Sequence, residues 1–314
     1  MDVPNNRSSV SEFILLGLST SREIQIFFFA VFFLVYVAII VGNLLIVISV
    51  IVDTHLHSPM YFFLANLSFF DLCLSSAATP KMIADLLRKR KTISLWGCMA
   101  QMFFMHFFGG GSEMTLLIVM AVDRYIAICK PLHYTSIMNR RVLTGSVLLS
   151  WVVGFVHTMS QMVFTINLPF CGPNILDDIF CDLPLVLKLA CTETYVLELL
   201  VTADSGLLSF ICFILLLVSY TVILVTVRRR SSGGLSRALS TLSAHITVVT
   251  LFFGPCIFIY AWPVSSFSVD KFLSVFYSII TPLLNPIIYT LRNKEMKAAM
   301  NRLRTQHVRS RQIF

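Results

Sequence analysis

The stretch IFFFAVFFLVYVAIIVGNLLIVISVIV, residues 26–52, contains no charged residue. A helix needs roughly 20 mostly apolar residues to cross about 30 Å of hydrocarbon, so this run is long enough to span a membrane. Six more runs of the same kind follow, at 60–80, 99–122, 142–166, 196–224, 245–263 and 272–291. The sequence therefore predicts an all-α membrane protein, a seven-transmembrane helix bundle.

The composition agrees with a chain that lies mostly in lipid. Of its 314 residues, 57% are hydrophobic and 13% are charged, and the mean hydropathy is +0.82. A soluble domain carries about 25% charged residues, so this chain has too little polar surface to face water everywhere. We divide it into an extracellular tail (1–25), a seven-transmembrane domain (26–291) and a cytoplasmic amphipathic helix with a short tail (292–314).

Basic residues set the expected orientation, because loops rich in Lys and Arg stay on the cytoplasmic side. Arginines occur near positions 140, 229 and 237 and along 292–311, whereas the opposite loops carry mainly aspartates, apart from the basic cluster at 88–91. This pattern predicts a multi-pass plasma-membrane protein with its N-terminus outside and its C-terminus in the cytoplasm. On the outer tail, Asn6 begins a glycosylation sequon.

The basic C-terminal segment has two interpretations. A run of positive charge can bind nucleic acid, but this one follows a span directly and has an apolar side. That side consists of Leu291, Met296, Met300 and Leu303. We interpret the segment as a helix lying on anionic membrane lipid, and we expect no nucleic-acid partner.

Four of the eight cysteines lie at the outer face: Cys98, Cys171, Cys181 and Cys191. An even number of cysteines in an oxidising compartment predicts two disulfides. Position alone allows three pairings.

Four polar residues lie within otherwise apolar spans: Asn43, Asp71, Glu113 and Asn285. An ionisable side chain at mid-membrane costs at least about 2.5–3.5 kcal/mol, so each needs a compensating role. They can join the helices by hydrogen bonds, or the two carboxylates can share a cavity that binds a cation or a proton. The two interpretations are compatible.

The third run carries further polar residues on one predicted line. At 100° per residue, Glu113 and Arg124 point within about 20° of each other, and His106 falls on nearly the same line. Arg124 lies at the cytoplasmic boundary beside Asp123. It can mark the membrane edge, or it can form an ion pair that breaks when the bundle rearranges.

Two short motifs resemble those of rhodopsin-like G-protein-coupled receptors: DRY at 123–125 and NPIIY at 285–289. Longer strings in the same order resemble olfactory receptors specifically. These strings are LHSPMYFFLANLSFFD (56–71), MAVDRYIAICKPLHY (120–134), RALSTLSAHI (237–246), PLLNPIIYTLRNKEMKAA (282–299) and the spaced cysteines of PFCGPN…FCD…KLAC (169–191). The resemblance covers nearly the whole chain and implies a receptor that binds an odorant and is not an enzyme.

The resemblance implies a switch at the cytoplasmic end of the bundle. Asp123 and Arg124 would form an inactive-state lock, and activation would release Arg124 towards a heterotrimeric, stimulatory olfactory G protein that raises cAMP. Tyr220 and Tyr289 would swing towards the released arginine. The implied switch residues are Asp123, Arg124, Tyr125, Tyr220, Asn285, Pro286 and Tyr289.

The resemblance also implies an outer pocket for a small, mostly hydrophobic volatile molecule. This pocket would be lined by His106, Phe107, Gly110, Asp204, Ser205, Leu208, Tyr260 and Ser278, with Phe253 below the ligand. The implied disulfides are Cys98–Cys181 and Cys171–Cys191.

Two features depart from the family pattern. Val122 occupies a position that is usually aromatic, and the segment from Cys98 to Arg124 is one residue longer than usual, near GGGSE (109–113). One extra helical residue turns the preceding part by about 100°. Either the glycines absorb it as a bulge or irregular turn, or His106 faces a different direction from its counterpart in relatives.

Other functional classes are less compatible with the sequence. Transporters often contain internal repeats, and this chain shows none. The HExxH, GxSxG and phosphate-loop motifs of enzymes are missing. We expect no cofactor, and no metal other than a possible sodium ion at Asn43, Asp71 and Glu113.

Overall fold

The structure, a computed structural model, describes residues 10–170, 174–230, 234–261, 271, 275–292 and 295–302. The α-helices are α1 (Arg22–Val52), α2 (Pro59–Leu87), α3 (Leu95–Met105), α4 (Glu113–Cys129), α5 (Tyr134–Ile137), α6 (Arg140–Thr165), α7 (Leu183–Leu187), α8 (Tyr195–Arg230), α9 (Gly234–Ala261), α10 (Thr281–Arg292) and α11 (295–302). Two π-helices, His106–Ser112 and Phe276–Ile280, precede α4 and α10, and two 3₁₀ turns cover Thr54–Leu56 and Pro131–His133.

The long helices follow the predicted spans. Helices α1, α2, α6 and α8 are each long and apolar enough to cross a membrane. The third span is α3, the first π-helix and α4 in unbroken succession, and α9 and α10 provide the sixth and seventh. The predicted seven-helix bundle is therefore confirmed, with α1 beginning four residues earlier than predicted, at Arg22.

The outer surface of the bundle is apolar. Large side chains such as Phe27, Leu34, Leu207 and Phe210 are more than half exposed. Contiguous apolar surface of this kind is what lipid, not water, covers. The polar side chains of the spans mostly point inwards, so the groups that can bind a ligand or an ion lie in the interior of the bundle.

A three-stranded sheet, which the sequence did not predict, covers one end of the bundle. Strand β1 (Glu12–Leu15) pairs antiparallel with β2 (Thr92–Ser94) and parallel with β3 (Ile175–Leu176). Alternate residues of β1 are buried, and Phe13 is fully buried with its ring edge-on to Phe170 at 5.5 Å. Part of the predicted N-terminal tail is therefore packed structure.

The first π-helix resolves the extra residue of the third span. It occupies His106–Ser112 and contains all three glycines, so the first of the two alternatives, a bulge, is confirmed. A β-carbon added at Gly111 would lie 2.7 Å from Cα of Gly154, so the third span and α6 touch backbone to backbone here. A π-helix contains more residues per turn, so His106 no longer lies on the straight line through Glu113 and Arg124.

Candidate functional site

A cavity of about 50 Å³ lies inside the bundle beneath the loop that carries Cys181. Its walls come from the third span, α6, α8 and α9, and the Cys98–Cys181 disulfide, with 5.5 Å between the two Cα atoms, ties the loop to α3. The lining residues are Met105, His106, Gly109, Gly110, Met114, His157, Cys181, Asp182, Ser205, Ser209 and Cys256. The predicted disulfide is thus present, and it holds the roof of the cavity.

The structure divides the predicted pocket residues of the third span. His106 and Gly110 line the cavity, whereas Phe107 does not. The ring of Phe107 lies 5.6 Å from that of Trp151 and 4.8 Å from that of Phe108, in the contact between the third span and α6. The π-helix rotates this part of the span, and the pocket assignment of Phe107 is corrected accordingly.

On α8, Ser205 lines the cavity and Asp204 lies behind its wall. The Asp204 carboxylate is 45% exposed, and its Oδ2 lies 3.1 Å from Nδ1 of His157 on α6. The hydroxyl of Ser160 also donates to this oxygen, at 3.1 Å. Asp204 therefore acts on the cavity through a histidine and does not line it directly.

The remaining predicted pocket residues are packed beside the cavity. Phe253 is fully buried with its ring 6.1 Å from that of Phe213, and Ser278 is buried in the second π-helix. Leu208 is half-buried against the core. Among the described residues, none of the three lines the cavity. The side chain of Tyr260 lies outside the described residues.

Sequence reasoning missed the α6 side of the cavity. His157 lines it, and Gln161 lies one turn further along, with its Nε2 atom 3.3 Å from Nε2 of His157 and 2.5 Å from Oγ of Ser205. The sequence did contain a signal for this face. His157 and Gln161 are four residues apart in an apolar span, and polar residues at that spacing lie on one inward side of a helix.

The mid-membrane polar residues form the predicted cluster. Asn285 donates to Oδ2 of Asp71 at 2.9 Å, and Asn43 donates to the carbonyl oxygen of Pro282 at 3.0 Å. Glu113 is fully buried, and neither of its carboxyl oxygens has a hydrogen-bond partner among the residues that the structure describes. One side-chain oxygen of each of Asn43, Asp71 and Asn285 is also buried, with no partner in the described part of the chain.

These unpartnered oxygens decide what the cluster can do. A buried carboxylate without a partner is costly, so a cation, water or proton must compensate it. Carboxylate and amide oxygens suit a hard cation such as sodium, which is the chemistry of this donor set. The residues present therefore fit the predicted sodium or proton site.

At the other end of the third span, the predicted lock differs from the structure. The hydroxyl of Tyr134 on α5 donates to Oδ1 of Asp123 at 2.8 Å. Within the described part of the chain, Asp123 forms no close ion pair with the half-buried Arg124. The ion pair of the predicted lock is therefore not formed in the described part of this structure, where Tyr134 instead binds one oxygen of the Asp123 carboxylate.

The other switch residues surround this end of the bundle. The hydroxyl of Tyr220 lies 2.6 Å from Nδ1 of His245, which joins α8 to α9. The hydroxyl of Tyr289 is buried without a hydrogen-bond partner among the described residues. Tyr125 packs half-buried against the core, and a β-carbon added at Gly42 would lie 3.2 Å from Cβ of Pro286, which places α10 against α1.

Two predicted features of the outer face fall outside the described residues. Asn6 is one of them, so its glycosylation stays a prediction. Cys191 is disulfide-bonded. Cys171 lies outside the described residues, so the pairing of these two cysteines also stays a prediction.

Comparison with known proteins identifies the family. The family described as "Olfactory receptor" matches residues 32–307. The human Olfactory receptor 4L1 is 66% identical over 314 residues, which cover 100% of both chains. The human Olfactory receptor 4K15 is 65% identical over 308 residues, covering 98% of this chain and 95% of the relative. The chain is thus a multi-pass membrane protein that belongs to the olfactory receptor family of class A G-protein-coupled receptors.

Proposed function

We propose that this receptor binds a small, mostly hydrophobic volatile molecule in the outer cavity and activates a stimulatory olfactory G protein, which raises cAMP. Receptors of the family signal through G proteins and are not enzymes. The observation that carries the ligand proposal is the cavity itself, in which a few polar groups stand among apolar and sulfur-bearing side chains. The walls of small-molecule sites have a composition of this kind.

The third span links the cavity to the cytoplasmic end. It carries His106 at the cavity, Glu113 in the polar cluster and Arg124 beyond it. A ligand shifts the equilibrium between bundle conformations by its higher affinity for one of them. The hydrogen bonds Tyr134–Asp123 and Tyr220–His245 connect the elements that would rearrange, and Arg124 would then engage the G protein.

We place the C-terminus in the cytoplasm and the N-terminus outside the cell, in the plasma membrane, because Lys and Arg are concentrated on the C-terminal side. In α11, Met296 and Ala299 are fully buried, whereas Glu295 and Lys297 are exposed, so the helix is amphipathic and suited to a lipid surface. Arg302 donates to Asp53 from Nη2 at 2.6 Å and from Nε at 2.8 Å. These bonds lower the pKa of Asp53 to about 2, so α11 stays fastened to the end of α1.

We also propose that the polar cluster binds sodium or a proton. Asn43, Asp71 and Glu113 would hold the ion, and Asn285 would orient Asp71 by its hydrogen bond. The ion would supply positive charge that lowers the cost of two buried carboxylates. Loss or exchange of that charge would couple the cluster to the conformation of the bundle.

The proposal is tested in cells that express the full chain with the stimulatory olfactory G protein and a cAMP reporter. We expect one or more members of a panel of volatile organic compounds to raise cAMP, and the response to disappear when the G-protein α subunit is omitted. The variant Arg124→Ala should reach the surface and give no ligand-dependent cAMP. A normal response from that variant would exclude the role of Arg124, and current without G protein would favour a channel.

A further inference from the structure

His157 is held in one orientation by Asp204. The Nδ1 atom of His157 lies 3.1 Å from Oδ2 of Asp204. An ionised carboxylate only accepts hydrogen bonds, so Nδ1 carries the hydrogen and donates it. In a neutral imidazole the other nitrogen, Nε2, is then an acceptor with a lone pair.

The contacts of Nε2 agree with that assignment. The side-chain amide nitrogen of Gln161, which is a donor, lies 3.3 Å from Nε2. This contact is long for an N–H donor, whereas the same amide donates to Oγ of Ser205 at 2.5 Å. The primary partner of Gln161 is therefore Ser205, and Nε2 of His157 keeps most of its accepting capacity.

The accepting edge of His157 borders the cavity. A β-carbon added at Gly110 would lie 3.3 Å from Nε2 and 3.2 Å from Cδ2 of this ring. Both Gly110 and His157 line the cavity. The backbone at Gly110 thus packs closely against this edge of the ring, and a side chain there would press on Nε2.

Ser205 places a donor beside this acceptor. Its hydroxyl oxygen accepts from Gln161, and its hydroxyl group donates no hydrogen bond in the described part of the chain. Ser205 also lines the cavity. One wall therefore presents an acceptor, Nε2 of His157, and a donor, the Ser205 hydroxyl, both in contact with the same glutamine.

We infer that the cavity selects small alcohols, because an alcohol hydroxyl both donates and accepts at the same oxygen. The ligand O–H donates to Nε2 of His157, and the ligand oxygen accepts from Ser205. Ethers, aldehydes and ketones only accept, so they leave Nε2 unpaired in a buried site. Asp204 is a positioning residue that fixes the histidine. This inference rests on the outer cavity being the ligand site proposed above.

The inference is tested by binding to the purified full chain, measured as the shift in melting temperature against ligand concentration. The probes are two matched sets chosen for a cavity of about 50 Å³: ethanol with its isomer dimethyl ether and with acetaldehyde, and 1-propanol with its isomer ethyl methyl ether and with propanal. In at least one set we expect the alcohol to bind about tenfold more tightly than its ether isomer. Equal binding within both sets, or no shift with any probe, would overturn the inference.

The variant Asp204→Asn separates positioning from packing. An asparagine can donate to Nδ1, which moves the ring hydrogen to Nε2 and turns the acceptor into a donor. We expect the alcohol to lose its advantage and the aldehyde to bind at least as tightly as the alcohol. The control Ser160→Ala removes another partner of Asp204 without touching the contact to Nδ1 of His157, and it should keep the wild-type order.

If Asp204→Asn folds poorly, the variant Gly110→Ala tests the same hydrogen bond to Nε2. Gly110→Ala places a methyl group against Nε2 and should weaken alcohol binding about tenfold while changing ether binding less. An unchanged alcohol-to-ether ratio in this variant would contradict the inference. Alcohol-selective binding without any cAMP response would leave the inference standing and would refute the proposed signalling.

Discussion

The hydroxyl of Tyr134 donates to the carboxylate of Asp123 across 2.8 Å, from a short helix that is separate from the third span. Burial, and then the Asp123 carboxylate, raise the pKa of Tyr134, so the phenol stays protonated and remains a donor. Asp123 is thereby tied to α5 and not to its sequence neighbour Arg124. We therefore expect α5 to take part in the proposed switch.

Replacing Tyr134 with phenylalanine should release Asp123 towards Arg124. A hydrogen bond to a charged group is worth about 1.5–3 kcal/mol, so we expect basal signalling to fall by about tenfold as the arginine becomes engaged. Basal cAMP per surface receptor measures this effect. The matched control is Tyr36→Phe. It removes the hydroxyl of Tyr36 on α1, which forms a hydrogen bond of 3.0 Å with the hydroxyl of Ser76 on α2. A rise in basal cAMP with Tyr134→Phe would contradict the interpretation that Tyr134 keeps Asp123 away from Arg124.

Adding one methyl group to α6 should have opposite effects at two glycines. A β-carbon at Gly154 would lie 2.8 Å from the carbonyl oxygen of Phe107, whereas one at Gly145 meets nothing within 4 Å. We expect Gly154→Ala to destabilise the receptor by about 1–3 kcal/mol through overpacking. Gly145→Ala should be neutral or stabilise by about 0.5–1 kcal/mol through helix propensity. Thermal unfolding of the purified variants measures both, and equal melting temperatures would argue against the backbone contact.

Asp178 should make the outer loop sensitive to pH. Its side chain is 2% exposed, and burial, followed by the neighbouring Asp182, raises its pKa from 3.8 to about 7. Two nearby charges have smaller effects on this pKa: that of Lys271 lowers it, and that of Asp177 raises it. The folded state binds this proton more tightly than the unfolded state, so the free energy of unfolding falls as the pH rises from 3.8 through about 7.

The variant Asp178→Asn removes this titration. We expect its melting temperature to exceed that of the wild type by about 2 °C or more at about pH 8, and the difference to shrink at about pH 5. The control Asp177→Asn, at the exposed partner of Lys271, should keep the wild-type pH dependence. A wild-type pH profile in Asp178→Asn would show that another group is responsible.

Sodium should act on basal activity through the two carboxylates of the polar cluster. Neutralising either one, as Asp71→Asn or Glu113→Gln, removes half of the negative charge that would hold the ion. We therefore expect basal cAMP in each variant to lose its dependence on sodium, measured with an organic cation replacing sodium at constant ionic strength. An unchanged sodium response in both variants would exclude the site.

The sequence predicted those features that depend on local composition. The spans follow from the length of apolar runs, and the inward faces of α2 and α4 follow from single polar residues such as Asp71 and Glu113. Contacts between distant segments were not predictable in this way. The partner of Asp123 is eleven residues away on another helix, and His157 meets Asp204 only because α6 and α8 pack together.

Short strands were missed for a similar reason. The strand Glu12–Leu15 has four residues, and its pairing with β2 and β3 depends on where two distant loops fold. Phe107 was assigned to the pocket by resemblance to the family, whereas the π-helix places its ring against α6. The extra residue was visible in the sequence, but the direction of each side chain around it required the packed structure.

The π-helix at His106–Ser112 divides the third span into two halves whose registers are independent. Adding or removing one residue there would change which side chains the π-helix directs towards the cavity and leave Glu113 and Arg124 where they are. Ligand preference can therefore drift by small insertions and deletions while the machinery of signalling stays intact. Within the receptor family, this segment is therefore a place where ligand preference can diverge.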